Sequence, residues 1–367
     1  VKDEEKTILD SKNNLAMMDF TVSGSAQTYD STSFAPDSAS TATSIATGNK
    51  TWSGSINVSE DFSKEYETIA EKLKSLKGYN IGLELIESGF DYFAGGGLLK
   101  PTGSEKNQED LYTLAEKAGY RVVKTQAEAE ALKPEDGKVI VIDEHLADSD
   151  AMAYELDRTE EQWSLADYVD KGIAMLDNEN GFFMMVEGGK IDWACHANDA
   201  ASTIADTIAL DDAVEKAVEF YEEHPEETLI LVTGDHETGG LTIGFAGTDY
   251  DTFLTNFENQ KISYAKYDSD YVKAYKENKT DFETVMKDVE QLFGLLAPSG
   301  EGEQEAQQKD SADFHPESNN SGALEMTEYE YGLLKEAYET TMTRTGEESE
   351  FGQEEYIKYG SYEPLTV

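Results

Sequence analysis

The chain has 367 residues, enough for one large α/β domain or for two or three smaller ones. Its 76 Asp and Glu against 29 Lys and Arg leave a formal charge of -47, so the surface is acidic nearly everywhere and neither nucleic acid nor an anionic membrane is a suitable partner. A single cysteine, Cys195, excludes an internal disulfide framework, and no apolar run approaches the roughly 20 residues that span a bilayer.

The N-terminal run Val1-Lys2-Asp3-Glu4-Glu5-Lys6 is no signal peptide, so an exported protein would have lost its signal from this sequence. The first segment that carries chemistry is Asp37-Ser38-Ala39-Ser40-Thr41-Ala42-Thr43-Ser44-Ile45-Ala46-Thr47-Gly48. Small side chains let a ligand approach the backbone. A serine at a helix start sets its hydroxyl beside free N–H groups and the positive end of the dipole, which suits a nucleophilic oxygen and the anion it attacks. The bland alternative is an ordinary N-cap, since Ser and Asp are preferred there.

Amphipathic patterning predicts helices over Lys64 to Leu76, Glu109 to Ala118, Gln162 to Leu176 and Asp199 to Glu222. Between them, Val139 to Ile142 (VIVI), Phe182 to Val186 (FFMMV) and Thr228 to Val232 (TLILV) read as strands buried on both faces. This alternation predicts an α/β, doubly wound, mostly parallel central sheet flanked by helices, with 1–367 forming a single domain. In such sheets ligand sites gather beyond the carboxyl ends of the strands.

Two polar segments lie there. FFMMV runs into Glu187-Gly188-Gly189-Lys190-Ile191-Asp192-Trp193-Ala194-Cys195-His196. Asp192 and His196 are four apart, so on a helix they share a face and can grip one cation with an oxygen and an imidazole nitrogen, or else form a surface pair. TLILV runs into Thr233-Gly234-Asp235-His236-Glu237-Thr238-Gly239-Gly240, a loop that either presents two ligand types side by side or makes a polar turn. Further on, 299–321 is rich in Gly, Glu, Gln, Ser and Asn and has little to bury, and Leu324 to Met342 reads as helix again.

Together, a serine nucleophile, two Asp/His pairs and a Glu are what two-metal phosphoryl transfer requires: one ion activates the attacking oxygen and the other stabilises the leaving one. Bound cations also answer the charge problem. An acidic surface repels a phosphate ester, and the chain has only three arginines, Arg121, Arg158 and Arg344.

The segments D-S-A-S-T-A-T, E-G-G-K-I-D-x-x-x-H and T-G-D-H-E-T-G-G resemble, in the same order, the three signatures of the alkaline phosphatases. Glu87-Ser88-Gly89-Phe90-Asp91-Tyr92-Phe93-Ala94-Gly95-Gly96-Gly97 also looks like that family. The resemblance implies a phosphomonoesterase working through a phosphoserine at Ser38, the serine being activated as a zinc-bound alkoxide. It implies that Asp37 orients a phosphate-binding arginine, that Asp192 and His196 hold one Zn2+, that Asp235 and His236 hold the other, and that Glu187 belongs to a Mg2+ site. Small phosphorylated substrates and a periplasmic or secreted location follow from it, and it leaves room for a homodimer.

Departures from the family pattern are equally specific. Nothing before Ser38 matches the family's G-D-G-M-G strand end, no D-H-A-T-P-like run follows Lys77-Gly78-Tyr79-Asn80 and no arginine lies within forty residues of that junction, and no late histidine stands in an H-T context. His315 precedes Pro316 instead, while His145 and His224 sit in polar, surface-type surroundings. The expectation is therefore of a chain incomplete at both ends and shortened near residue 78, or of a degenerate, non-catalytic relative that binds metal or phosphate. A phosphodiesterase of the same superfamily is the other enzymatic reading. A sulfatase fits less well, because Ser38-Ala39-Ser40-Thr41 is not its C/S-x-P-x-R run. No D-x-D-x-D-G-type calcium loop is present.

Overall fold

A computed structural model describes residues 15–56, 58–59, 61–64, 78–242, 254–299, 324–344 and 363–366. The helix expected over Lys64 to Leu76 and the polar segment 299–321 fall almost wholly outside the described residues, as does His315.

The VIVI run forms the middle strand of a three-stranded parallel sheet. This strand, β3 (Val139–Ile142), lies between β1 (Tyr92–Gly95) and β2 (Arg121–Val123), with Val139 opposite both Tyr92 and Arg121. All four β3 side chains are buried, and the pleat sends them to opposite faces. Val139 and Val141 join Val123, Ala129, Leu132 and Tyr168 in one cluster, whereas Ile140 and Ile142 join Ala115 and Tyr120 in the other. Burying each such side chain contributes about 1.5–3 kcal/mol, so a strand covered on both sides has no use for polar alternation.

The covering helices begin where the sequence supplies caps. On one face lie α2 (Gly78–Glu87), which contributes Leu85 and Ile86, and α3 (Leu111–Lys117), capped by the Asp110 side chain on Thr113 N. On the other lie α4 (Gln126–Glu130) and α5 (Leu165–Leu176). A reciprocal box between Ser164 and Asp167 starts α5, three residues later than the pattern predicts. At Gly172 the helix meets β1 so closely that a Cβ would stand 2.8 Å from the Tyr92 ring. The expected doubly wound parallel sheet is therefore present, and the pattern did not reveal β1 (YFAG) or β2 (RVV) because neither has the unbroken branched apolar run of β3.

The other two apolar runs differ from expectation. Residues 182–186 and 228–232 make no strand ladder among the described residues. They alternate instead. Phe182 meets Phe220 of α7 (Ala200–Glu223) at a ring separation of 5.5 Å, and Met184 packs on the Ala166–Val169–Ala213 cluster between α5 and α7. Phe183 and Met185 are 74% and 80% exposed, and Leu229 and Leu231 are 81% and 80% exposed. These runs are half-covered, not buried on both faces. Helices α5 and α7 cover one side of 182–186, and neither run has a neighbouring strand among the described residues.

A second core, Ile262, Tyr267, Val272, Tyr275, Val285, Met286, Val289, Leu292, Met326 and Leu365, is gathered by helices between 264 and 293 and the helix Glu328–Thr343. That last helix occupies most of the predicted Leu324 to Met342 stretch. Asp199 links the two cores. It caps Ser202 N at the start of α7 and accepts from Gln260 Nε2 at 2.7 Å and Tyr264 N at 2.8 Å.

Candidate functional site

Ser38 opens α1 (Ser38–Thr47), whose N-cap is Asp37 and whose end is Gly48 in the left-handed conformation. Asp37 accepts from Ser40 N at 3.0 Å, Ser40 Oγ at 2.7 Å and Gly54 N at 2.6 Å. Burial pushes its carboxyl up, but these hydrogen bonds outweigh the burial and hold it below the ordinary range. Behind it, Asp30 accepts from Thr32 N and Ser33 N, both at 2.6 Å, and from the Ser53 hydroxyl. Two carboxylates thus tie the loop 30–55 around the start of α1, leaving the Ser38 hydroxyl at the surface.

The second motif folds as α6 (Gly189–His196), as its i,i+4 spacing requires, and Asp192 Oδ1 lies 3.5 Å from His196 Nε2. The third motif is a loop pressed against α6. Gly239 adopts φ +79°, and a Cβ there would stand 2.4 Å from the Cys195 carbonyl oxygen, so only glycine allows this approach.

That contact brings the motifs together. Ser38 Oγ lies 2.9 Å from His236 Nε2, across 198 residues of sequence. His236 Nδ1 lies 3.0 Å from Thr238 Oγ1, which donates to Asp192 Oδ1 at 2.8 Å. Asp235 Oδ2 stands 3.6 Å from His236 Nε2. Ser38, Asp192, His196, Asp235 and His236 thus form one connected chain of polar contacts, with Thr238 as the link that the sequence reading left without a role.

Two expected site residues are not joined to this chain. Glu187 is exposed just before α6 and makes none of these contacts. Asp37 is engaged by Ser40 and Gly54, while each arginine is tied elsewhere: Arg121 to Asp136 at 2.9 Å, Arg158 to Glu155, and Arg344 beside Glu363 at 3.9 Å. Lys190 is held too, with Nζ 2.6 Å from Asp148 and stacked on Tyr154 and Trp193. Of the histidines set aside as surface residues, His224 lies against Phe220 and His145 follows the buried Asp143.

Among the described residues no group of three or more His, Cys, Asp and Glu side chains converges as a metal shell. The donor chemistry nonetheless fits zinc in pairs. With bonds of 2.0–2.2 Å, two ligands of a tetrahedral ion stand about 3.3–3.6 Å apart. Separations of 3.5 Å at Asp192/His196 and 3.6 Å at Asp235/His236 match that bite. Each pair supplies two of four ligands, and Ser38 Oγ offers a further donor beside His236.

A family model described as Alkaline phosphatase matches residues 1–85 and 93–310. The chain belongs to the alkaline phosphatase family. Among its curated relatives, alkaline phosphatase 3 of Bacillus subtilis (strain 168) is 29% identical over 284 residues, covering 68% of this chain and 58% of its own length. Alkaline phosphatase 4 of the same strain is 31% identical over 248 residues, covering 58% of this chain and 51% of its own length. The chain thus spans about half the length of these relatives. The crystal structure of the cold-active alkaline phosphatase from the psychrophile Shewanella sp. shares the fold, with a TM-score of 0.63 over 86% of this chain and 75% of that one at 24% identity.

Proposed function

We propose that this alkaline phosphatase relative hydrolyses phosphate monoesters through a phosphoserine at Ser38. The contact of Ser38 Oγ with His236 Nε2 at 2.9 Å carries this reading, because it joins the serine of one motif to the ligand pair of another. In the first step Ser38 Oγ attacks phosphorus, its proton is lost, and the ester oxygen departs with a proton as the alcohol. Water then attacks the phosphoserine, releases inorganic phosphate and restores the hydroxyl. Both are in-line displacements, which depend on positioning and on charge stabilisation.

The chain's own part is to hold the groups still. Asp37 fixes the first turn of α1, so the positive end of the helix dipole faces the phosphoryl group. Gly239 docks the loop on α6 and thereby sets the distance between the two Asp/His pairs. In this reading Asp192 and His196 hold one Zn2+, Asp235 and His236 hold the other, and Glu187 serves a Mg2+ site. When bound, these ions supply the positive charge that a chain of formal charge -47, with its arginines engaged elsewhere, does not bring to Ser38. Small phosphorylated substrates and an exported, periplasmic or secreted, location belong to the same proposal. No helix among the described residues is long and apolar enough to cross a membrane.

The test is turnover of an aryl phosphate, and of the matching diester, with zinc and magnesium added. The proposal expects the monoester to be preferred and Ser38→Ala to lose on the order of 10³-fold or more. Zinc binding without turnover would favour a non-catalytic relative, a reading to which the engaged arginines point. A preferred diester would make the chain a phosphodiesterase.

A further inference from the structure

We propose that Thr238 is a positioning residue whose one hydroxyl ties Asp192 of α6 to His236 of the loop and turns the His236 Nε2 lone pair towards Ser38. A threonine hydroxyl has a single hydrogen, and an ionised carboxylate can only accept. With Asp192 Oδ1 at 2.8 Å from Thr238 Oγ1, that hydrogen is committed to Asp192. Towards His236 Nδ1, at 3.0 Å, the threonine oxygen can therefore only accept, so Nδ1 carries the ring hydrogen. The Glu237 carbonyl, 3.1 Å from the same nitrogen, also can only accept, and both neighbours give the same assignment. In the neutral ring Nε2 is then left with its lone pair, 2.9 Å from Ser38 Oγ and 3.6 Å from Asp235 Oδ2. A bare Nε2 is the form that accepts a proton or binds a cation.

Of these two neighbours Thr238 reaches on to Asp192, so its hydroxyl adds a side-chain link between two pairs that the Gly239 contact already holds close. A partner that orients a ligand through its far atom typically changes metal affinity 10–100-fold when removed. This inference deepens the phosphatase reading and rests on it for any effect on turnover. The ring orientation is readable without turnover.

The experiment uses the full chain labelled with 15N, recording the ring nitrogens of its five histidines in alkaline buffer and then during titration with zinc; His236→Asn assigns the signals. The expected wild-type spectrum shows His236 with hydrogen on Nδ1 and a lone pair on Nε2. Thr238→Val keeps the side-chain shape and removes the hydroxyl. It is expected to mix the two ring forms at His236 and to weaken zinc about 10–100-fold at both His236 and His196. Thr238→Ser is expected to restore both. Wild-type ring signals and zinc affinity in Thr238→Val overturn the proposal, as does a Thr238→Ser as impaired as Thr238→Val, which would make the methyl group the relevant feature. Should Thr238→Val fail to fold, Thr238→Ser alone decides: preserved ring signals and affinity support the hydroxyl, and their loss overturns it. Missing phosphoserine at Ser38 with these spectra as expected would sink the phosphatase reading and leave the role of Thr238 standing.

Discussion

β3 and the runs at 182–186 and 228–232 are alike in being short and apolar but have opposite surroundings. Val141 is 1% exposed between two packed faces, whereas Leu231 is 80% exposed. The difference teaches that an apolar run specifies a need for cover and not its source. β3 obtains cover from β1, β2 and helices on both sides. The other two runs have no strand partner among the described residues, 182–186 being covered by helices on one side, and both lead into the candidate site. The best-packed part of the molecule and its chemical part are thus different places.

The sharpest way to break this contrast is a pair of matched substitutions. Val141→Asp places an unpaired charge in a closed core and is expected to lose more than about 4 kcal/mol, enough to unfold a typical domain. Leu231→Asp is expected to stay within about 0.5 kcal/mol. Urea melts would measure both, and equal losses would mean that 228–232 is covered after all.

Next in size is Asp30. It is buried with several donors, and Asp30→Ala is expected to lose on the order of 2–4 kcal/mol in thermal melts. Burial raises the Asp30 carboxyl, but bonds from Ser53, Thr32 and Ser33 outweigh it and hold the group at about 2, below its ordinary 3.8. Its contribution is therefore full above the ordinary value and is lost as pH falls through about 2. A pH series on wild type and Asp30→Asn checks this: the acid limb should flatten in the variant.

Gly239→Ala comes third, at about 1–3 kcal/mol, because the left-handed backbone and the Cys195 carbonyl both oppose a Cβ. The loop should lift from α6, and the His236 and His196 zinc signals should weaken together. A variant that loses stability with zinc affinity intact would mean that the loop docks without this contact.

A pH-dependent effect is expected at Asp206, whose carboxyl burial pushes up to about 7 from 3.8. Between those values the folded chain keeps a proton that the unfolded chain has released, so stability falls as pH rises through this window. Asp206→Asn should remove that slope, gaining over wild type at alkaline pH and matching it near pH 3.8. An unchanged slope would place the titration elsewhere.

Much of this was legible in the sequence, for identifiable reasons. VIVI announced a doubly covered strand because both of its faces are apolar. The i,i+4 spacing of Asp192 and His196 put them on one helix face, and the Asp-Ser pair marked the start of α1. What stayed hidden depends on contacts between distant segments. Thr238 stands in plain view in Thr233-Gly234-Asp235-His236-Glu237-Thr238-Gly239-Gly240, but its role appears only when the loop lies on α6. Asp30 begins an Asp-Ser-Thr-Ser run typical of a side-chain-capped turn, a local signal that goes unnoticed beside the nucleophile motif. The half-cover of 182–186 was illegible because composition reports a strand's own faces and not its neighbours.

The phosphatase proposal stands or falls on Ser38 taking the phosphoryl group. The direct measurement is to mix the chain with an aryl phosphate in the presence of zinc and magnesium, quench in acid, and map the phosphoryl group by peptide mass spectrometry. Phosphate is expected on Ser38 in the wild-type chain and nowhere in Ser38→Ala. Turnover with no phosphate on Ser38, or turnover undiminished in Ser38→Ala, would contradict it.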